Sequence, residues 1–177
     1  MAPMVHWPEV MMSYDSCDKV LFSADAFGSF GTMSGSIFAD SMTADEFLPE
    51  ARRYYTNIVG KFGAQVQNVL KKAAALDIGY IAPLHGLVWR ENITFLLEKY
   101  DRWSSYTPEE DGVLVVYGSI HGNTANAAEL IAMKIADKGL KVKVLGSSVK
   151  HYSEIVSQAF HFSKMVIVTA TLDGGIF

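Results

Sequence analysis

Three side chains in the first half of the chain, His6, Asp25 and His85, are of the types that bind metal ions. Imidazole and carboxylate groups suit iron, zinc or manganese, and the two oxygens of one aspartate can bridge two metal ions. Asp25 ends a predicted strand, and His85 lies in a loop just after another. A histidine or aspartate at a strand end can also serve a turn or support other side chains, so residue type alone leaves both interpretations open.

A loop of Ser, Gly, Asn and Thr in the second half, residues 119–124, follows an apolar strand and opens an Ala-rich helix. Free backbone N–H groups at the start of a helix favour phosphate. The loop is neither a Walker loop, since no lysine follows Gly122, nor a G-x-G-x-x-G motif. The hydroxyls of Ser119 and Thr124 suit a monophosphate, and an ordinary helix-capping turn is the alternative.

A second loop rich in Gly and Thr, residues 169–175, follows the third predicted strand of this half. In a doubly wound sheet, loops at the carboxyl ends of neighbouring strands converge on the ligand crevice. The two loops together therefore favour a ligand site over two unrelated turns.

The elements that position these residues differ in pattern between the two halves. The first half shows short strands, an irregular loop from Asp25 to about Ala39, and helices, of which the first begins at a Thr43–Glu46 capping box. The second half alternates strand and helix, which predicts a parallel, doubly wound α/β sheet. Predicted strands are 10–14, 19–23, 79–82, 113–118, 141–145 and 165–169, and predicted helices are 43–59, 63–76, 92–103, 124–138 and 152–160. Segment 104–112, with Ser-Ser, Thr-Pro and three acids, indicates a domain boundary, which gives domains 1–107 and 108–177.

The composition excludes several classes of function. Half of the 177 residues are hydrophobic, the net charge is −4, and no basic stripe indicates nucleic-acid binding. The single cysteine, Cys17, forms no internal disulfide, so nothing points to secretion. No apolar run reaches the roughly 18 residues of a membrane span, and the start lacks the features of a signal peptide. We therefore expect a cytoplasmic protein.

Several sequence strings resemble the consecutive signatures of flavodiiron proteins, also called A-type flavoproteins. In the first half these are 4–9, 21–28 and 81–90, around His6, Asp25 and His85, and 50–55 is also typical of that family. In the second half, Ser119–Thr124 resembles the phosphate loop for flavin mononucleotide (FMN) in flavodoxins. Thr169–Gly175 resembles the flavodoxin loop beside the flavin ring. Both halves match in the family's order, so the resemblance covers nearly the whole chain.

The resemblance implies a fold and a role for each residue. Residues 1–107 would be the C-terminal part of a metallo-β-lactamase-like αββα domain, and 108–177 the N-terminal part of a flavodoxin-like, FMN-binding sheet. His6 and His85 would each ligate one iron ion, with zinc as the second-choice metal, and Asp25 would bridge the two. The residues implied to hold the FMN phosphate are Ser119, His121, Gly122, Asn123 and Thr124. The residues implied to line the isoalloxazine ring are Thr169, Thr171, Asp173, Gly174 and Gly175.

The implied activity is electron transport to a diiron site that reduces dioxygen to water or nitric oxide to nitrous oxide. Rubredoxin or an NADH-dependent flavin reductase would supply the electrons through FMN. The resemblance also implies a head-to-tail homodimer.

One departure from the family pattern concerns the remaining iron ligands. The family places a His-x-Glu-x-Asp-His cluster upstream of the residue that matches His6, and this sequence has none. We therefore interpret the chain as a fragment that binds iron weakly and has little activity. Two other functions remain open. One is an FMN-binding electron-transfer module without a working metal site, and the other is a metallo-β-lactamase-like zinc hydrolase that activates water.

Overall fold

The computed structural model describes residues 4–31 and 35–176. The chain divides into two compact units, Met1–Thr107 and Pro108–Phe177, here called unit 1 and unit 2. Within the described residues, no helix combines the length and the apolar character needed to cross a membrane.

Unit 1 contains a three-stranded sheet in the order β1-β2-β3, formed by β1 Ser13–Asp15, β2 Val20–Ala24 and β3 Tyr80–Pro83. β2 pairs with β1 antiparallel and with β3 parallel. Side chains alternate along β2, so that Leu21 and Ser23 are buried and the residue between them is exposed. The sheet therefore presents one packed face, and Asp25 follows directly at the end of its central strand.

The helices of unit 1 begin close to where the sequence predicts them. They are α1 Ala44–Tyr54, α2 Gly63–Ala73 and α3 Ile93–Ser104, with a short 3-10 turn at Ala39–Ser41. The predicted capping box is confirmed, because the Glu46 carboxylate accepts hydrogen bonds from the Thr43 N–H at 2.8 Å and from the Thr43 hydroxyl at 2.9 Å. These bonds satisfy a donor that the helix start leaves without an intrahelical partner.

The predicted helix 43–59 changes its winding after Tyr54. Residues Tyr55–Val59 form a π-helical segment and Gly60–Phe62 a 3-10 turn before α2 begins. Apolar periodicity predicts a helical backbone but not its hydrogen-bond spacing, which here follows the burial of Tyr55 and Val59 in the core.

An aromatic cluster forms the core of unit 1. The Tyr55 ring lies 5.1 Å from that of Tyr100 and 5.3 Å from that of Trp103, centroid to centroid. Phe27 packs at 4.6 Å on Tyr100. Each of these side chains is at most 1% exposed. Because Phe27 comes two residues after Asp25, this core also anchors the loop that carries Asp25.

Unit 2 is a parallel sheet in the order β5-β4-β6, with β4 Glu110–Gly118, β5 Lys141–Gly146 and β6 Phe162–Thr169. The connecting helices are α4 Asn123–Ala136 and α5 Tyr152–His161. Alternate residues of β4 pack on the two sides of the sheet. Val113 and Val115 pack with Ala128 of α4, whereas Leu114 and Val116 pack with Ile155 of α5. The predicted doubly wound α/β arrangement is confirmed.

Segment 169–175, predicted as an irregular loop, contains a small hairpin. β7 Thr171–Leu172 pairs antiparallel with β8 Gly175–Ile176. The two turn residues, Asp173 and Gly174, have φ angles of 49° and 79°. Two positive φ angles with an Asp-Gly pair are typical of a type I′ turn, which matches the twist of the flanking strands.

Candidate functional site

Asp25 lies against both of the histidines that are predicted to bind metal ions with it. Its Oδ2 lies 3.6 Å from His6 Nε2, and its Oδ1 lies 3.2 Å from His85 Nε2. Each carboxylate oxygen therefore faces a different imidazole ring. The Asp25 side chain is 16% exposed, against 33% for His6 and 57% for His85. The structure thus brings the three predicted residues together around one largely buried carboxylate.

Local hydrogen bonds fix the turn that carries Asp25. The buried Ser23 hydroxyl donates to the Ala26 carbonyl at 2.7 Å, and the Ala26 N–H donates to the Ser23 carbonyl at 3.1 Å. The Leu84 N–H donates to the Ala24 carbonyl at 2.8 Å, which ties this turn to the end of β3. The backbone that presents Asp25 is therefore bonded directly to the backbone that leads to the second histidine.

The two imidazole rings line a pocket of about 400 Å³. Its other walls include Phe30, Tyr54 and Ile58. Aromatic and aliphatic walls with a few polar groups are typical of small-molecule sites. The pocket therefore joins the candidate metal ligands to a space in which a small molecule can lie.

Tyr54 lines the pocket but is not among the predicted site residues, although it lies in the 50–55 string. Its ring centroid lies 5.8 Å from that of His85 and 5.2 Å from that of Phe30. Its phenol oxygen is buried without a hydrogen-bond partner in the part of the chain that the structure describes. Burial, with a smaller contribution from the Asp25 charge, raises the pKa of Tyr54, so the phenol keeps its proton at neutral pH. No local sequence signal distinguishes this tyrosine from its neighbours, because its role depends on packing.

The donor set fits metal ions in chemical type but is not a complete site. The donors are two imidazole rings and one carboxylate that turns one oxygen towards each ring. Such ligands suit iron or zinc. Across ranges 4–31 and 35–176, no group of three or more His, Cys, Asp or Glu side chains has the arrangement of a full metal cluster. His6, Asp25 and His85 instead meet as two pairs that share Asp25.

The predicted phosphate loop lies at the start of α4. Gly122 is the N-cap residue, with a φ of 88°. Its N–H donates to the Ser119 hydroxyl at 3.1 Å. The N–H groups in the first turn of a helix have no intrahelical partner, and no described atom lies within 4 Å of a Cβ built on Gly122. His121 and Asn123 are exposed beside it and Thr124 is half-buried, so an anion fits this open helix start.

The second loop begins beside the first. Gly118, at the end of β4, is the register partner of Thr169, at the end of the adjacent parallel strand β6. Thr171, Asp173, Gly174 and Gly175 follow in the exposed β7–β8 hairpin. Both loops therefore leave the same edge of the sheet, where doubly wound proteins bind their ligands.

Comparisons with known proteins find flavodiiron proteins that are similar to this chain along almost its whole length. A family model described as ODP family beta lactamase matches residues 1–86. Among solved structures, rubredoxin oxygen:oxidoreductase from Desulfovibrio gigas matches with a TM-score of 0.91 and 28% identity, over 98% of this chain and 44% of that one. The flavodiiron protein from Giardia intestinalis matches with a TM-score of 0.93 and 27% identity, over 99% of this chain and 43% of that one.

A curated relative is similar along almost the whole sequence. The anaerobic nitric oxide reductase flavorubredoxin of Vibrio vulnificus is 35% identical over 176 residues, which cover 97% of this chain and 35% of that protein. The resemblance to flavodiiron proteins is therefore confirmed, and with it the fold class, part of a lactamase-like αββα domain followed by part of a flavodoxin-like sheet. The chain spans about a third of the length of the curated relatives that it matches.

Proposed function

We propose that the chain is part of a flavodiiron oxidoreductase that passes electrons from FMN to a diiron site. Residues 1–107 would be the C-terminal part of the diiron domain and 108–177 the N-terminal part of the FMN domain. The observation that carries the proposal is the Asp25 carboxylate, which turns one oxygen to His6 and the other to His85. The similarity of the chain to flavodiiron proteins along its length supports it.

The residues of unit 1 would hold and surround the metal ions. His6 and His85 would each ligate one iron, Asp25 would bridge the two, and zinc is the second-choice metal. When bound, the iron pair supplies electrons to a small substrate. Asp25 would offset the positive charge of the metal ions. Because its side chain is largely shielded from solvent, this charge interaction would be stronger than in water. The Tyr54 side chain would form part of the pocket wall, and its buried phenol keeps its proton.

The residues of unit 2 would bind FMN, which when bound supplies reversible redox chemistry. The phosphate would lie at the start of α4, held by Ser119, His121, Gly122, Asn123 and Thr124. The isoalloxazine ring would lie beside Thr169, Thr171, Asp173, Gly174 and Gly175. The open space beside Gly122 and the common sheet edge of the two loops support this assignment.

The substrate would be dioxygen, reduced to water, or nitric oxide, reduced to nitrous oxide. One relative is named a nitric oxide reductase and another a rubredoxin oxygen:oxidoreductase, so the relatives' names support both. The same names favour rubredoxin as electron donor, with an NADH-dependent flavin reductase as the alternative. We expect a head-to-tail homodimer in the cytoplasm, and little activity from this chain by itself because three ligands serve two metal ions.

Two rival functions each have one observation in their favour. The lack of a complete metal cluster among the described residues favours an FMN-binding electron-transfer module. The lactamase match over residues 1–86 favours a zinc hydrolase. Flavin bound to the purified chain would argue against the hydrolase. Redox-active iron whose binding depends on Asp25 would argue against the module.

The experiment that tests the proposal is anaerobic loading of the chain with Fe²⁺ and FMN, followed by removal of unbound material and measurement of both contents. We expect flavin and less than two iron ions per wild-type chain, since three ligands hold two metal ions weakly. Asp25→Asn should lose the iron and keep the flavin, and Asp18→Asn should keep the wild-type contents. Asp18 is an exposed aspartate in the β1–β2 turn and serves as the matched control. Flavin without iron in the wild type would support the module. Zinc bound in a parallel loading with Zn²⁺ and FMN, with no flavin retained, would support the hydrolase.

A further inference from the structure

The chain segments that carry Asp25 and His85 are packed backbone against backbone. The Ser29 N–H donates to the His85 carbonyl at 3.2 Å, and Ser29 is 5% exposed. The next residue, Gly86, has a φ of 84°. A Cβ at Gly86 would lie 2.1 Å from Ser29 Oγ, 2.9 Å from Ser29 N and 3.0 Å from Ser29 O. No larger residue fits at position 86 unless the Ser29 backbone moves.

A second glycine, Gly28, lies on the chain segment that follows Asp25 and packs against the backbone of His85. A Cβ at Gly28 would lie 2.9 Å from Tyr54 Cε1 and 3.0 Å from the His85 carbonyl oxygen. Gly28 therefore occupies the gap between the Tyr54 ring and the backbone of His85. Since Tyr54 also lies in the wall shared with the two imidazole rings, the packing at Gly28 extends to the pocket.

We propose that Gly28 and Gly86 are positioning residues, which let the Ser29 segment hold the His85 backbone so that the imidazole stands against the Asp25 carboxylate. This inference rests on the proposed metal centre. The 3.2 Å separation between His85 Nε2 and Asp25 Oδ1 depends on where the His85 backbone lies. Metal ligands must be held within about 0.5 Å of their productive geometry, so a shift forced by one added methyl group weakens binding.

The chain contains a matched glycine that separates crowding from backbone strain. Gly35, which lies in the same unit, has a φ of 80°, close to that of Gly86, but apart from its chain neighbours no described atom lies within 4 Å of a Cβ built there. Alanine is equally strained at both positions and clashes only at Gly86. For Gly28, whose backbone carries no such strain, the matched control is Gly79, where the nearest atom to a built Cβ is 3.4 Å away.

The test is titration of the full chain with Co²⁺, followed by its visible absorption bands, with far-UV circular dichroism to monitor folding. We expect Gly86→Ala and Gly28→Ala to keep their secondary structure, to lose about 10-fold or more in Co²⁺ affinity, and to show altered bands. Gly35→Ala and Gly79→Ala should bind Co²⁺ as the wild type does. If Gly86→Ala does not fold, Gly28→Ala and its control Gly79→Ala carry the test, because the shortest contact of a Cβ at Gly28 is 2.9 Å rather than 2.1 Å.

The outcomes separate this inference from the proposed function. If the wild type binds Co²⁺ in an Asp25-dependent manner and Gly86→Ala and Gly28→Ala bind as tightly as their controls, the positioning role is wrong and the metal centre stands. If the wild type shows no Asp25-dependent binding, both are wrong. Loss of affinity in Gly35→Ala equal to that in Gly86→Ala would also overturn the positioning role, because strain alone would then explain it.

Discussion

The two candidate sites are built from different parts of the polypeptide. In unit 1, His6, Asp25 and His85 meet through their side chains although they are 19 and 60 positions apart in the sequence. In unit 2, the predicted phosphate loop is one short segment, 119–124, that leads into α4, whose first-turn N–H groups have no intrahelical partner. A site of converging side chains depends on the packing of its whole unit, whereas a backbone site depends on one strand, one turn and one helix.

Glycine serves a different purpose in each site. Gly28 and Gly86 lie where a Cβ would be within 3.0 Å of neighbouring atoms, so they permit close approach between segments. Gly122 and Gly174 have positive φ angles and open surroundings, so they permit a change of chain direction. The same residue type thus indicates tight packing in one site and an accessible loop in the other.

The largest expected effect tests whether the unit 1 site depends on its core. Trp103 is fully buried, and Trp103→Ala should lower the free energy of unfolding by about 3–5 kcal/mol. Co²⁺ binding should be lost with it, because the aromatic cluster anchors the Asp25 loop. Leu114→Ala, at a fully buried position in unit 2, is the control and should leave Co²⁺ affinity unchanged. Calorimetry measures the stability and metal titration measures the Co²⁺ affinity of each variant. Co²⁺ binding retained by Trp103→Ala would show that the site does not depend on the aromatic core.

A smaller effect concerns the phenol of Tyr54. Because this buried hydroxyl has no partner among the described residues, Tyr54→Phe should raise the free energy of unfolding of the metal-free chain by about 1 kcal/mol. Tyr106→Phe should instead lower it by about 0.5–1 kcal/mol, since the Tyr106 hydroxyl donates to the Gly60 carbonyl at 3.1 Å. Denaturant unfolding compares the two, and destabilisation by Tyr54→Phe would mean that the phenol has a partner such as bound water.

An effect confined to unit 2 comes from the start of α5. The His151 ring nitrogen Nδ1 accepts a hydrogen bond from the Ser153 N–H at 3.3 Å, so this imidazole caps the helix. His151→Ala should lower the free energy of unfolding by about 1 kcal/mol. His151→Asn should lower it less, because asparagine is a good N-cap residue. Thermal unfolding measures the change, and metal binding by unit 1 should not respond.

The smallest effect is a pH dependence in unit 1. Hydrogen bonds from Thr43, first from its N–H and then from its hydroxyl, lower the pKa of Glu46 below its ordinary value of 4.5. The contribution of this capping box is therefore complete above pH 4.5 and is lost as the pH falls through the lowered value. The difference in melting temperature between Glu46→Ala and wild type should shrink between pH 6 and pH 3, and a constant difference would contradict the carboxylate's part in the cap.

Sequence reasoning works best where the determinants are local. Thr43 and Glu46 lie three positions apart and correctly predict the start of α1, and the alternation of apolar strands with helices predicts the parallel sheet of unit 2. The π-helical segment after Tyr54 could not be predicted, because it depends on core packing. The same holds for Tyr54 and Gly86, which acquire their surroundings only when Gly28 and Ser29 pack against them.

The long separation between Asp25 and His85 has a consequence for folding kinetics. Closing a chain loop of this length costs conformational entropy before any contact is gained, and contacts between distant residues slow folding. In the folded chain the pairing of β2 with β3 brings the segments of Asp25 and His85 together. In the unfolded chain the metal donors of unit 1 are far apart, so metal ions added before refolding would encounter scattered ligands. Refolding before the addition of metal should accordingly give the higher yield of occupied sites.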